Sequence, residues 1–97
     1  MIFHNKKYQT LIGCLFDRQL NNNQFPSEYT GLIITTDIIQ SSVKDRWWMT
    51  VRIISTMKEI DFDFNTIDLE LFLNLKLNNN SKYDSRDSFT YKYRYIQ

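Results

Sequence analysis

Strict alternation of apolar and polar residues is clearest in residues 67–77, which read I-D-L-E-L-F-L-N-L-K-L. A spacing of two residues places side chains alternately on the two faces of a pleated strand. The apolar side chains that share one face are Ile67, Leu69, Leu71, Leu73, Leu75 and Leu77. A helix would scatter these six side chains around its circumference, so the pattern predicts a half-buried β-strand. Phe72 is the exception, an aromatic ring on the otherwise polar face.

Leucine intrinsically prefers helices, but the free energy gained by burying its side chain outweighs that preference and favours the strand. Leucine favours helices by only tenths of a kcal/mol per residue, whereas burying its side chain contributes roughly 1.5–3 kcal/mol. We expect this strand to form a terminal hairpin with residues 88–96, in one register setting Leu71 opposite Tyr93. The aromatic residues that share one face of the last strand are Phe89, Tyr91, Tyr93 and Tyr95.

The first half of the chain predicts two further strands. Residues 7–17 carry apolar side chains on both faces, as expected for a central or doubly covered strand, and Gly13 marks a bulge or bend. Residues 29–39 are dense in β-branched side chains and predict a second strand. An alternative for the end of that segment is a short helix that begins at Thr36 and Asp37 and includes Val43.

Two more alternating segments follow. Residues 46–57 predict a strand on which Trp47 and Trp48 point to opposite faces, with Met49, Val51 and Ile53 on the face of Trp47. In residues 58–64 the apolar positions are even-numbered: Ile60, Phe62 and Phe64. They become odd-numbered after residue 67, so a tight turn or a bulge must lie at Asn65 and Thr66.

These segments define the expected fold class. Residues 1–97 form one domain, mainly β: a small antiparallel meander of five or six strands that closes into a barrel or a two-layer sandwich, with one short helix as the alternative. A chain of 97 residues can bury enough surface to fold without disulfide bonds or a structural metal ion.

Composition bears on the origin and location of the chain more than on its function. The chain has no alanine, two glycines and one proline, and it is rich in Phe, Tyr, Ile, Asn and Lys. This bias indicates an AT-rich genome, such as that of a phage, plasmid, organelle or low-GC bacterium. No apolar run has the length of a signal-peptide core or a transmembrane helix, so we expect a soluble, cytoplasmic or otherwise internal protein without a membrane partner.

Catalytic chemistry finds little support in the sequence. His4 and Cys14 are the only residues of their type, and Cys14 lies in an apolar segment where a buried thiol is the simpler interpretation. Asp61 and Asp63, with Asp68 and Glu70, are the only acidic set that could hold a metal ion, and we interpret them as a solvated face. We expect no enzyme activity, no metal and no cofactor.

Protein binding is the first functional hypothesis. Adjacent tryptophans on a strand cannot both lie in a one-sided core, and Trp and Arg are over-represented at binding hot spots. The candidate partner-binding residues are Arg46, Trp47, Trp48, Arg52 and Phe72. The expected partner is another protein, bound through this aromatic patch or a sheet edge, with a homo-oligomer as one form of that binding. Such a protein would be an inhibitor, an adaptor or an assembly factor.

Two alternative functions remain. A small barrel that binds single-stranded nucleic acid would use the interleaved aromatic and basic residues Tyr91, Lys92, Tyr93, Arg94 and Tyr95. A net charge of +1 argues against bulk electrostatic binding, and the tyrosines are better explained as core residues. The third alternative is a ligand pocket of the lipocalin type, for which this chain length leaves little room.

Overall fold

The computed structural model of the chain describes residues 5–19, 30–78 and 93–96. Its elements, in chain order, are α1 (Lys6–Gln9), β1 (Leu15–Arg18), β2 (Gly31–Gln40), β3 (Arg46–Ile53), β4 (Glu59–Asn65), α2 (Thr66–Leu77) and β5 (Tyr93–Ile96). The strands are antiparallel and belong to one sheet. The predicted mainly β fold class with five strands is therefore confirmed.

The sheet has the strand order β4-β3-β2-β1-β5. The first four strands form the predicted meander, and β5 returns to pair with β1, setting Phe16 opposite Tyr95. Because β4 and β5 lie at opposite ends of this order, the sheet is not closed into a barrel. The helices pack on one of its faces, which gives a compact two-layer arrangement.

Residues 67–77, predicted as a strand, form the helix α2, and this prediction is wrong. The helix begins at a capping box: Asn65 Oδ1 accepts from the Asp68 backbone N–H at 2.8 Å, and Asp68 Oδ2 accepts from the Asn65 N–H at 3.1 Å. These reciprocal bonds satisfy donors that a helix N-terminus leaves unpaired. The predicted terminal hairpin is wrong for the same reason, since its first strand is this helix.

Phe72 explains why the helix is preferred. The buried residues of α2 are Leu69, Phe72 and Leu75, a spacing of three that forms one helical stripe, while Ile67 and Leu77 are 69% and 82% exposed. The ring of Phe72 is fully buried, with centroids 5.0, 5.3 and 4.8 Å from those of Phe16, Phe64 and Tyr93. The residue that did not fit the strand pattern is thus the centre of the core, and its predicted exposure is wrong.

The predicted first strand, residues 7–17, is also partly wrong. Its first residues form the short helix α1, whose Tyr8 is buried, and only Leu15–Arg18 is strand. Gly13 provides a bend between them: its φ of +84° lies in the left-handed region, and its N–H donates to the Thr35 carbonyl at 2.8 Å. Glycine adopts this conformation without the steric cost of a Cβ atom.

The second strand agrees with the sequence, and the third agrees as far as Ile53; its predicted continuation over residues 54–57 is wrong, because residues 54–56 form a turn. Residues 31–40 continue as strand through Thr36 and Asp37, so the alternative helix there is wrong. β2 pairs with β1 on one side and with β3 on the other. The β2–β3 register is irregular between Thr35 and Asp37. On β3, every second residue from Trp47 to Ile53 is buried, as predicted.

The fourth strand is confirmed at residues 59–65, and its apolar side chains pack against the core. The change of phase at Asn65 and Thr66 is real, but its cause is the end of β4 and the start of α2 rather than a bulge. Of the predicted last strand, residues 93–96 are strand, and residues 88–92 lie outside the described residues. Among the described helices, none is long and apolar enough to cross a membrane.

Candidate functional site: the uncovered face of the sheet

The sheet has a covered face, which packs against α1 and α2, and an uncovered face on its other side. Cross-strand partners share a face, so the register assigns each side chain to one of them. In the part of the chain that the structure describes, no helix or strand packs on the uncovered face. Its apolar side chains are Leu15, Leu32, Ile34, Ile39, Trp48 and Ile96, joined by Ile54 just beyond β3.

Three of these side chains are more exposed than large apolar groups usually are. Leu32, Trp48 and Ile54 retain 41%, 40% and 39% of their accessible surface, whereas Met49 and Ile53 on the covered face retain 0% and 1%. Ile54 and Leu32 are neighbours, because the Ile54 N–H donates to the Leu32 carbonyl at 3.0 Å. Trp48 and Ile39 lie at one end of the face and Leu32, Ile34 and Ile54 at the other, with the pair Thr50 and Asp37 between them. Exposed apolar groups of this kind are found at interaction sites.

Charged groups border the apolar surface on the side of β4. Arg52 binds Glu59 at 2.7 Å, and Arg46 binds Asp63 at 3.0 Å. Between these ion pairs, Asp61 accepts a hydrogen bond of 2.6 Å from the neutral hydroxyl of Thr50. The outward row of β4 thus holds three carboxylates against two guanidinium groups from β3, an excess of one negative charge among these described residues.

Arg94 forms the opposite border of the uncovered face. Its guanidinium donates to the Asp17 carboxylate at 2.8 and 3.1 Å, across the β1–β5 pair. Such a two-donor contact fixes the side chain in one orientation.

The two tryptophans have separate roles. Trp47 is buried on the covered face, where its ring meets Tyr8 edge-on at 4.9 Å and its Nε1–H donates to Thr66 Oγ1 at 3.1 Å. Trp48 lies on the uncovered face opposite Ile39 on β2 and Asp63 on β4. Only Trp48 is therefore available at the surface.

Three of the five predicted partner-binding residues come together: Arg46, Trp48 and Arg52 all lie on the uncovered face of β3. Trp47 and Phe72 belong to the core and cannot be part of that surface. The sequence analysis missed the aliphatic residues of β1 and β2. The signal that could have found them is the unbroken apolar run at residues 32–34, which places an apolar side chain on each face of the strand.

The residues of the nucleic-acid alternative do not form a stacking platform in the described part of the chain. Tyr93 is buried against Phe72, and Tyr95 packs on Phe16 with a centroid distance of 5.7 Å. Arg94 is held by Asp17. Tyr91 and Lys92 lie outside the described residues.

The acidic residues that the sequence grouped are not brought together. Asp68 caps α2, and Glu70 accepts from Lys7 Nζ at 2.7 Å and from the Tyr8 hydroxyl at 2.9 Å. The hydrogen bond from Lys7 holds the pKa of Glu70 below its usual range, and burial together with Glu70 raises the pKa of Tyr8 to about 12. Among the described residues no group of three or more His, Cys, Asp or Glu could hold a metal ion.

Cys14 and His4 are the two other reactive residues that the sequence singles out. Cys14 is buried, and its thiol donates to the Thr10 carbonyl at 3.5 Å. His4 lies outside the described residues. Comparison with protein-family models, with curated protein sequences and with solved structures finds no match to this chain.

Proposed function

We propose that this protein is a non-enzymatic protein-interaction module that binds a partner protein through the uncovered face of its sheet. The observation that carries the proposal is the exposure of Leu32, Trp48 and Ile54 on one side of a small domain. An aliphatic surface with one exposed tryptophan and a charged border has the composition of an interface core and rim.

The charges on this face indicate what kind of partner it fits. Arg46, Arg52 and Arg94 are each paired with a carboxylate on the same face. One further carboxylate, that of Asp37, lies on this face opposite Thr50. The row on β4 keeps the excess carboxylate of Asp61. The matching partner surface is therefore apolar opposite Trp48 and opposite Leu32 and Ile54, with lysine or arginine opposite β4.

The face is a better candidate than the edge of the sheet. β4 is the outermost strand at one end, and its outward row is Glu59, Asp61 and Asp63. Charged side chains on an edge strand discourage the addition of another strand. A second copy of this face would offer the row only Arg46, Arg52 and Arg94, each already paired with a carboxylate, so we propose a different protein as the partner.

Site-specific photo-crosslinking in the native host tests the proposal. A benzophenone amino acid replaces Trp48 in one variant, Leu32 in a second and Ile67 in a third. Ile67 is the matched control because it is an exposed apolar residue on α2, on the other side of the molecule. We expect the first two variants to form one and the same adduct with a protein of different sequence, and the Ile67 variant not to form it.

Two results would contradict the proposal. An identical adduct from all three positions, or none from Trp48 and Leu32, would show that the uncovered face is not a specific binding surface. An adduct that mass spectrometry identifies as a second copy of the chain would replace the proposed partner with a homo-oligomer.

A further inference from the structure

A cleft of about 530 Å³ lies between α1 and the C-terminal half of α2, on the helix side of the molecule. Its lining residues are Lys7, Thr10, Leu73, Lys76 and Leu77. This volume falls within the range of ~300–1,000 Å³ that small-molecule pockets occupy. The cleft shares no residue with the uncovered face, so it is a separate candidate site.

Two ties between the helices frame this cleft. At one end, Lys7 Nζ and the Tyr8 hydroxyl bind Glu70 at 2.7 and 2.9 Å; at the other, Lys76 Nζ donates to the Thr10 carbonyl at 2.5 Å. Glu70 and Lys76 are six residues apart on α2, about 9 Å along the helix axis. Leu73, which lies between Glu70 and Lys76 on α2, and Leu77, which follows Lys76, line the cleft.

The floor of the cleft is apolar. Leu73 and Leu77 are four residues apart and therefore lie on one side of α2. Leu77 is 82% exposed, the largest exposed fraction among the large apolar residues that the structure describes. No aromatic ring or amide side chain lines the cleft among the described residues, so its floor suits a flexible alkyl chain rather than a planar, hydrogen-bonding ligand.

The rim is positively charged. The ammonium of Lys7 lies at one end of the cleft on Glu70, and that of Lys76 lies at the other end, where it donates to the Thr10 carbonyl. Glu70 neutralises Lys7, but Lys76 is bound to a neutral carbonyl, and no carboxylate of the described residues is paired with it. One ammonium group therefore stands uncompensated next to an apolar floor.

We propose that this cleft binds the carboxylate of a free, single-chain fatty acid. The carboxylate binds Lys76 at the rim, and the alkyl chain lies over Leu73 and Leu77. Glu70 limits the affinity, because its own carboxylate occupies Lys7 and repels a second anion. A cationic or neutral amphiphile with the same chain lacks the contact with Lys76.

Decanoate below its micellar concentration is the probe, titrated into the full chain with amide chemical shifts and calorimetry as readouts. We expect saturable binding at one site, with shifts centred on Thr10, Leu73 and Leu77 and not on Trp48. Each added methylene from octanoate to decanoate should tighten binding about two- to fourfold, as burial of CH₂ groups implies. Decyltrimethylammonium should bind more weakly than decanoate.

Three substitutions of exposed groups separate binding from folding. Lys76→Gln should weaken decanoate binding about two- to fivefold, the range expected for an exposed ion pair. Lys44→Gln, which removes the same charge from the exposed β2–β3 connection, should leave it unchanged. Glu70→Gln should tighten it at the same single site, because Lys7 becomes available and a repelling carboxylate is removed; additional, non-saturable binding would indicate a loosened fold instead.

Several outcomes would overturn this proposal: no saturable binding, equal binding of the cationic amphiphile, equal effects of Lys76→Gln and Lys44→Gln, or shifts centred on the uncovered face. The first three outcomes do not concern the surface probed by photo-crosslinking at Trp48, and the fourth would overturn the cleft without removing the proposed protein interface. The two proposals therefore succeed or fail separately.

Discussion

Trp47 and Trp48 are neighbours in the chain that lie on opposite faces of β3, and their surroundings differ. Trp47 is packed against Tyr8, bonded to Thr66 and nearly inaccessible to solvent. Trp48 keeps 40% of its surface and lies between Ile39 on β2 and Asp63 on β4. The covered face holds the fold together, and the uncovered face is free to be selected for binding because little stability depends on it.

Charged groups on the two faces differ in the same way. On the uncovered face, Arg46 and Arg52 form exposed ion pairs, which contribute little to stability. The covered face buries one arginine, Arg18, whose Nε–H donates to the Tyr93 hydroxyl at 3.1 Å and whose guanidinium lies 5.5 Å from the ring centre of Phe62. On the covered face, a hydrogen bond and aromatic rings stabilise the positive charge of the buried guanidinium group. On the uncovered face, water and a carboxylate stabilise the charge of each exposed guanidinium group.

The largest effect is expected at the centre of the covered face. Phe72→Ala removes the ring that contacts Phe16, Phe64 and Tyr93, and should lower the free energy of unfolding by ~3–5 kcal/mol. Urea denaturation followed by circular dichroism measures it. Leu77→Ala on the same helix, where the side chain is exposed, should change stability by at most ~0.5 kcal/mol. Equal effects of the two changes would contradict the helix orientation.

Substitution of each tryptophan tests the contrast directly. Trp47→Ala should cost ~3 kcal/mol or more, because it removes a buried ring and leaves Thr66 without its donor. Trp48→Ala should cost less than ~1 kcal/mol. Fluorescence gives an independent readout: the Trp48→Phe variant should emit from a shielded indole, and the Trp47→Phe variant from one that iodide quenches readily. Similar quenching in both variants would show that the two side chains do not differ in burial.

The contrast between the faces was only partly predictable from the sequence. Alternation on β3 correctly separated Trp47, Met49 and Val51 from Trp48. It did so because odd-numbered and even-numbered side chains of a strand point to opposite faces of the sheet. It failed for α2 because leucines at every second position also supply pairs four residues apart, one of the two spacings that a helix needs. Phe72, three residues from both Leu69 and Leu75, completes the helical stripe.

The candidate site was harder to predict than the core. Arg46, Trp48 and Arg52 share a face of one strand, so their grouping follows from local periodicity. The aliphatic residues of β1, β2 and β5 join them only through strand pairing, which is not encoded in any one segment. The cleft beside Lys76 depends on how α1 packs on α2, and the sequence had indicated strands in both places.

Alkaline pH tests how the helices are attached to the covered face. The pKa of Tyr8 is about 12 in the folded protein, against 10.0 ordinarily, because of burial and the carboxylate of Glu70. Above pH 10 the unfolded chain therefore loses this proton before the folded one, and stability falls as pH rises from 10 to 12. By pH 11 the loss from this group should reach about 1.4 kcal/mol.

Tyr8→Phe provides the reference for that measurement. The difference in free energy of unfolding between pH 8 and pH 11 should be smaller for Tyr8→Phe than for the wild type. The other tyrosines and the lysines titrate in both proteins, so their contribution cancels in this comparison. Glu70→Gln should reduce the pH-dependent difference, because the carboxylate contributes to the raised pKa. An unchanged difference in Tyr8→Phe would assign the alkaline loss to other groups.

A smaller effect is expected where the covering helix begins. Asn65→Ala removes the side chain that accepts from Asp68 and should cost ~1 kcal/mol, as loss of an N-cap usually does. Asn65→Asp keeps an acceptor and should cost less. Asn74→Ala, an exposed position within the same helix, is the control for side-chain removal and should be neutral or slightly stabilising. If all three changes were equivalent, the capping box would not form in solution.

The smallest effect has the opposite sign and lies on the covered face. Thr35 is 1% exposed, and its hydroxyl finds no hydrogen-bond partner among the described residues. Thr35→Val replaces that unpaired polar group with a methyl group of similar shape, so it should raise the free energy of unfolding by up to ~1 kcal/mol. Thr50→Val makes the same exchange on the uncovered face, where the hydroxyl donates to Asp61, and should be neutral or slightly destabilising. A loss of stability in Thr35→Val would mean that the buried hydroxyl has a partner, and that the covered face tolerates polar groups as the uncovered face does.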